Sequence, residues 1–246
     1  MSRALSVLAF LFCLATIAPA QNTAPGAAPE RVRAREVSFL GYNNFTMPIW
    51  VQTEPEGPIV QVDVSAFAKS QPITYRGGDE LRLLRMQMNP QTGQPQPRTV
   101  GVINLADLPR ETLVILAELS PTQLDGIGVD HSMRASPPGS VRVLNITPFE
   151  TALRLGSLEL QLRPNQNEVQ MLRELDSPIQ LQVAAWRNER WDGAFDGPFV
   201  LRAESRALIL IHQARMMENA PARVRVFTEQ VVNPQPPRGP RPTPRQ

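Results

Sequence analysis

Along most of this chain apolar and polar residues alternate one for one. Pro58–Val64 is apolar at every second position from Val60. Ser140–Thr147 alternates from Val141, and Leu158–Leu162, Ile179–Val183 and Arg223–Phe227 do so throughout. Successive side chains of a strand point to opposite faces, so this period marks strands with one face buried. Glu80–Met88 is a longer candidate. Each run is short and bounded by Pro, Gly, Asn or Asp, as strands joined by turns are. Arg76-Gly-Gly-Asp79 and Arg187-Asn-Glu-Arg190 are tight-turn candidates, and the proline-rich Asn89–Pro97 reads as a loop. No segment keeps a helical period over the length of a stable helix. His212–Asn219 has room for one or two helical turns, with Met216 and Met217 packing inward. Many short strands, few or no helices and frequent turns predict an all-β, β-sandwich architecture.

The pattern also repeats. Val37-Ser-Phe-Leu40 corresponds to Val141-Arg-Val-Leu144, Pro72-Ile-Thr-Tyr75 to Pro178-Ile-Gln-Leu181, and Leu113-Val-Ile-Leu116 to Leu208-Ile-Leu-Ile211. The stretches Leu113 to Val129 and Leu208 to Val224 have the same spacing. Two tandem sandwiches meeting near Ser136-Pro-Pro-Gly139 are expected. The runs at Leu113 and Leu208 are continuously apolar, which suits central strands covered on both faces or strands at a contact between domains. Docking through them would make the pair one rigid body.

The ends differ from the body. Arg3, the uncharged apolar run Ala4–Ala18 and Ala18-Pro19-Ala20 have the layout of a secretory signal peptide cleaved after Ala20. The run is too short for a membrane anchor. Cys13, the chain's only cysteine, follows Phe12 and so lacks the small residue that lipidation requires. Its removal leaves no thiol, which excludes disulfides, thiolate catalysis and zinc–thiolate sites from the mature chain. Fold stability must then come from packing. The division expected is signal peptide 1–20, disordered leader 21–34, first sandwich 35–135, second sandwich 140–232 and a Pro/Arg-rich tail 233–246. That tail has six prolines in fourteen residues, which fit an extended spacer rather than a sheet. Its three arginines are also suited to touching anionic lipid, peptidoglycan or a partner groove.

Charge narrows the partners. The net charge is +2, but Arg3 and the tail arginines Arg238, Arg241 and Arg245 supply the excess. The body keeps 21 basic residues against 23 acidic ones, so it carries no electrostatic footprint for nucleic acid. Lys69 is the sole lysine, beside 24 arginines. Most of the arginines alternate with apolar residues along strands, where a solvated sheet face would place them.

Candidate chemistry is sparse. His131 and His212 are the only histidines. A triad of Ser132, His131 and Asp125 can be written on paper, but sequence neighbours seldom form one, and no Gly-x-Ser-x-Gly elbow is present. Asp192-Gly-Ala-Phe-Asp196-Gly has a calcium-loop composition without EF-hand spacing, and reads as a turn. A carboxylate pair such as Glu118 with Asp130 has no sequence warrant. No cofactor or metal is expected. Trp186 and Trp191 flank the Arg187–Arg190 turn, and an exposed pair there is suited to stacking on sugar rings, with Arg187 and Arg190 beside it. Asn44-Phe-Thr46 and Asn145-Ile-Thr147 are glycosylation sequons in a glycosylating host.

Ser140-Val-Arg-Val-Leu-Asn-Ile-Thr-Pro148, then Leu153-Arg-Leu-Gly156 and Leu160-Gln-Leu-Arg-Pro164, resembles the opening of uncharacterised bacterial secreted β-sandwich domains. The resemblance covers residues 140–230 and implies an Ig-like fold and export, without catalytic residues. The first half lacks the Asn-x-Thr-Pro turn after its strand. The expectation is two tandem Ig-like antiparallel β-sandwich domains: an exported, non-enzymatic structural or protein-interaction module at the cell envelope, with envelope proteins or polysaccharide as partners. A carbohydrate-binding module using Trp186 and Trp191 coplanar beside a groove is the alternative, and a secreted hydrolase the third reading.

Overall fold

The computed structural model describes residues 34–42, 45–213 and 220–231. The signal segment, the leader up to residue 33, Asn44 of the first sequon, the helical turns expected at 214–219 and the tail lie outside these residues. The described residues belong to one compact unit.

Among them are sixteen strands and no helix. The first half holds β1 (Arg35–Gly41), β2 (Met47–Gln52), β3 (Ile59–Val64), β4 (Ile73–Tyr75), β5 (Glu80–Met88), β6 (Pro95–Asn104), β7 (Glu111–Ser120) and β8 (Gln123–Asp130). The second holds β9 (Ser140–Asn145), β10 (Thr151–Leu155), β11 (Leu158–Leu162), β12 (Asn167–Met171), β13 (Ile179–Arg187), β14 (Arg190–Phe199), β15 (Ser205–Gln213) and β16 (Ala222–Gln230).

The four sheets run β4-β1-β7-β8, β3-β2-β5-β6, β12-β9-β15-β16 and β11-β10-β13-β14. Adding eight to each strand number of the first half gives the second. Every pairing is antiparallel except β1–β7 and β9–β15, which are parallel. Even the register repeats: Ser38 lies opposite Leu113, and Arg142 opposite Leu208, so Val37 is equivalent to Val141 and Leu113 to Leu208. The β5–β6 and β13–β14 hairpins carry a bulge at the same place, Val100 in β6 opposite Leu83/Leu84 and Ala194 in β14 opposite Val183/Ala184. A bulge bends and re-aims a strand and is seldom placed by chance.

Two correspondences expected from sequence fail. Pro72–Tyr75 leads into β4, whose counterpart is β12, whereas Pro178–Leu181 leads into β13, the counterpart of β5. Both are apolar strand openings after a proline, which is all that a local pattern can compare. The equal spacing to Val129 and Val224 is coincidental as well. Leu113 pairs with Val129, but Leu208 pairs with Phe227, because the second hairpin has the longer connection. The Pro-rich loop is shorter than expected: Pro95–Pro97 already belong to β6, an edge strand where a missing amide hydrogen is tolerated.

Alternation along the strands feeds three apolar cores. Val37, Phe39, Val51, Leu83, Val114 and Leu116 are among those filling the first sandwich. Val141, Val143, Leu153, Val183, Ile209 and Ile211 are among those filling the second. The remaining face of each inner sheet forms the third core, from Leu40, Leu113, Ile115 and Val129 against Leu144, Leu208, Leu210 and Phe227. On β7, Val114 and Leu116 face inward, and Leu113 and Ile115 face the other half. That is why both runs are continuously apolar. The contact is built from equivalent positions on both sides, as in an isologous dimer.

Candidate functional site

At one border of the third core the apolar contact gives way to charge. His131 follows β8, Lys69 lies in the β3–β4 connection, Glu229 is on β16, Arg206 on β15 and Arg142 on β9. His131 Nε2 and Glu229 Oε2 are 2.8 Å apart. Lys69 donates to Glu229 Oε1 and sits 3.2 Å from His131 Nε2. Arg206 donates Nε and Nη2 to Glu229 Oε2 at 3.1 and 3.0 Å, and Nη1 to the carbonyls of His131 and Ser136 at 2.9 and 3.1 Å. Arg142 donates to the Asp130 carbonyl at 2.7 Å and to Asn167 Oδ1 at 2.6 Å. By register His131 and Glu229 are equivalent positions of the two halves, since Thr112 pairs with Asp130 and Ala207 with Thr228. The two equivalent residues touch each other across the contact.

Burial pushes the Glu229 carboxyl upward, but hydrogen bonds from His131 and Lys69 and the nearby Arg206 charge outweigh it and hold the carboxyl far below its usual range. Burial lowers the His131 imidazole, opposed by its hydrogen bond to Glu229 and reinforced by Arg206 and Lys69. Glu229 is therefore an anion held between His131, Lys69 and Arg206, groups from both halves. Beside this cluster is a cleft of about 420 Å³ with Leu40, Leu113, Leu208 and Phe227 on its apolar side. The arrangement is a polar clasp between the sandwiches.

The triad of Ser132, His131 and Asp125 is not assembled. Ser132 Oγ accepts from the Ala135 amide, Asp125 Oδ1 accepts from the Gly126 amide, and His131 is turned to Glu229. His212 is buried at the third core, its ring 5.5 Å from that of Tyr42 and its Nδ1 3.1 Å from the Gln213 carbonyl. Glu118 pairs with Arg85 at 2.9 Å at the far end of β7 from Asp130, whose Oδ1 accepts from the Ser132 amide. The segment expected to be a calcium-like turn is the body of β14: Asp192 pairs with Arg190, and Asp196 accepts from Gln180 and Gln182. No cluster of three metal-ligating side chains occurs among the described residues.

Trp186 and Trp191 are cross-strand partners on one face at the tip of the β13–β14 hairpin. Asn188 and Glu189, both with positive φ, close the turn as a two-residue I′-type loop. Each tryptophan is 41 % exposed, with ring centroids 5.3 Å apart at 62°. The pair is edge-to-face, so the coplanar platform expected of a sugar-stacking pair is not formed. Arg187 lies over Phe149, and Arg190 is bonded to Asp192.

Asn145 is fully buried. Its amide nitrogen donates to the carbonyls of Phe149, Leu162 and Arg163, and its oxygen accepts from the Thr147 amide and hydroxyl. The second sequon is a knot that ties β9 to the turn after it, with no accessible amide for a glycan. Sequence reading missed this knot and the clasp. Asn-x-Thr is a legible signal only when read as a turn. Glu229 and His131 are 98 residues apart and nothing local links them. The sequence matches no protein-family model and no curated protein.

Proposed function

We propose that this chain is an exported, non-enzymatic interaction module of the bacterial cell envelope, built from two Ig-like sandwiches that act as one rigid body. The third apolar core carries this reading. It fixes the halves together and leaves the outer sheets free to present side chains. On the outer face of β3-β2-β5-β6, Ile59, Met86 and Val102 are exposed around the half-buried Trp50. Exposed apolar groups gathered on one sheet face are a common mark of a partner surface. The likeness to secreted bacterial sandwiches and the signal-like opening support export.

Photo-crosslinking from positions 86 and 102 in intact cells, with fractionation, tests the proposal. The chain is expected in the exported fraction, linked to a defined envelope component, and Val102→Lys should remove the link without changing the circular dichroism. Retention in the cytoplasm would overturn it. So would hydrolysis of an ester or glycoside by the purified chain, abolished by one substitution.

A further inference from the structure

The repeated register allows the two outer sheets to be compared position by position. The shared bulge makes Leu84 equivalent to Ala184. The strand partners of these two make Trp50 equivalent to Ala152, and Thr99 to Gly193. In the first half Trp50 and Leu84 cover the middle of the outer face, and Leu84 is only 7 % exposed. In the second half the same three positions hold Ala, Ala and Gly. The result is an unroofed trough of about 630 Å³ on the outer face of β11-β10-β13-β14. A Cβ added at Gly193 would meet nothing within 4 Å. Three independent reductions in size at contiguous positions, on an otherwise matched scaffold, make an opening rather than a packing fault.

The walls are mixed, with the exposed Phe195 and the half-buried Leu160 beside polar side chains. Arg154, Glu159, Gln161, Gln182 and Asp196 line the trough. Gln161 donates an amide hydrogen to Glu150 at 3.0 Å and Gln182 to Asp196 at 3.2 Å, which fixes the planes of both amides. Trp186 and Trp191 stand two register steps beyond the Ala184–Gly193 pair, on the same face. Carboxylates outnumber cations by one among the lining residues, which disfavours an anionic polymer. A small-residue floor, fixed amides and carboxylates for hydroxyl groups, and an aromatic edge suit a neutral polyhydroxylated chain lying along the sheet.

We propose that this trough binds a neutral saccharide chain, with one exposed ring of the Trp186–Trp191 pair stacking on a sugar at its end. The proposal rests on the interaction-module reading and names a ligand class for one face. It moves the sugar contact away from Arg187 and Arg190 and into the trough.

The test is calorimetric titration of the full chain with cellohexaose, chitohexaose and xylohexaose, with tryptophan emission followed in parallel. A synthetic peptide of residues 233–246 is titrated as a proline-rich rival. At least one hexasaccharide should bind and shift the emission to the blue. Gly193→Thr and Ala184→Leu, each importing the equivalent residue of the first half, should weaken binding at least about tenfold with an unchanged Tm. Silence of all three sugars at millimolar concentration would overturn the proposal, as would binding that survives both fillings. Peptide binding lost on filling, with no sugar binding, would also overturn it. Any of these with envelope crosslinking intact leaves the module reading standing; hydrolysis of a hexasaccharide would overturn that reading too.

Discussion

The two sandwiches share six strand pairings, a bulge and the positions through which they meet, yet they differ at the strand end and on the outer face. At the end of the first strand the second half has Asn145, whose side chain reaches the Phe149 carbonyl at 2.8 Å. The first half has Gly41, where a Cβ would lie 2.2 Å from the Phe45 carbonyl. One half ties its turn with a side chain. The other brings the backbone into the space that side chain would need. The strand frame and the mutual contact were kept in common, while the parts free of both constraints took different solutions.

The largest expected effect lies where the halves are alike. Leu210→Asp and its equivalent Ile115→Asp each bury an unpaired charge in the third core. Each should cost about 4–5 kcal/mol or more, visible in urea unfolding as loss of a single cooperative transition. Unequal costs at these two positions would break the equivalence. Next comes the strand end. Asn145→Ala strands buried carbonyls and should cost about 1–3 kcal/mol, while Gly41→Ala overpacks a backbone contact and should cost about 1–3 kcal/mol by the opposite mechanism. Asn145→Gly as stable as wild type, by denaturant midpoint, would show that the knot contributes nothing.

A smaller effect belongs to the clasp. Both His131 and Glu229 have folded values below their ordinary 6.5 and 4.5. The unfolded chain therefore binds protons that the folded chain does not, and stability must fall as pH falls. The decline from His131 starts near pH 6.5 and that from Glu229 below pH 4.5. Thermal scans below pH 4.5 should show Tm falling by roughly 2–4 °C more in wild type than in Glu229→Gln. Parallel curves would remove the clasp from the account. The smallest effect is expected at Trp186→Ala, within about 0.5 kcal/mol of wild type, because the ring is exposed. A larger loss in chemical denaturation would mean that the pair holds the hairpin together.

Much of the frame was legible because it is local. Glu80–Met88 and the Arg187–Arg190 turn fall where alternation and turn residues put them. The equivalence of Val37 with Val141 and of Leu113 with Leu208 survives in register, because buried positions on both faces restrict what can replace them. What failed needed partners from elsewhere. Pro178–Leu181 opens a different strand from Pro72–Tyr75, and only sheet order reveals it. Asp192–Gly197 has turn composition but pairs along its length with β13, so tertiary pairing overrode local preference. The trough was invisible for another reason. Ala152, Ala184 and Gly193 are informative only beside Trp50, Leu84 and Thr99, and that alignment depends on a bulge.

The third core also sets an order of events in time. In each half the first strand waits for the seventh, so no sandwich closes until nearly all of its residues are available, and such distant pairing is slow. Synthesis delivers the first half before the second. Until β9, β15 and β16 have formed, Leu40, Leu113, Ile115 and Val129 have no cover from their partners. A newly made first half is thus a finished sandwich with an apolar side open. The faster its sister half forms, the less time it has to find another such surface on a neighbouring chain.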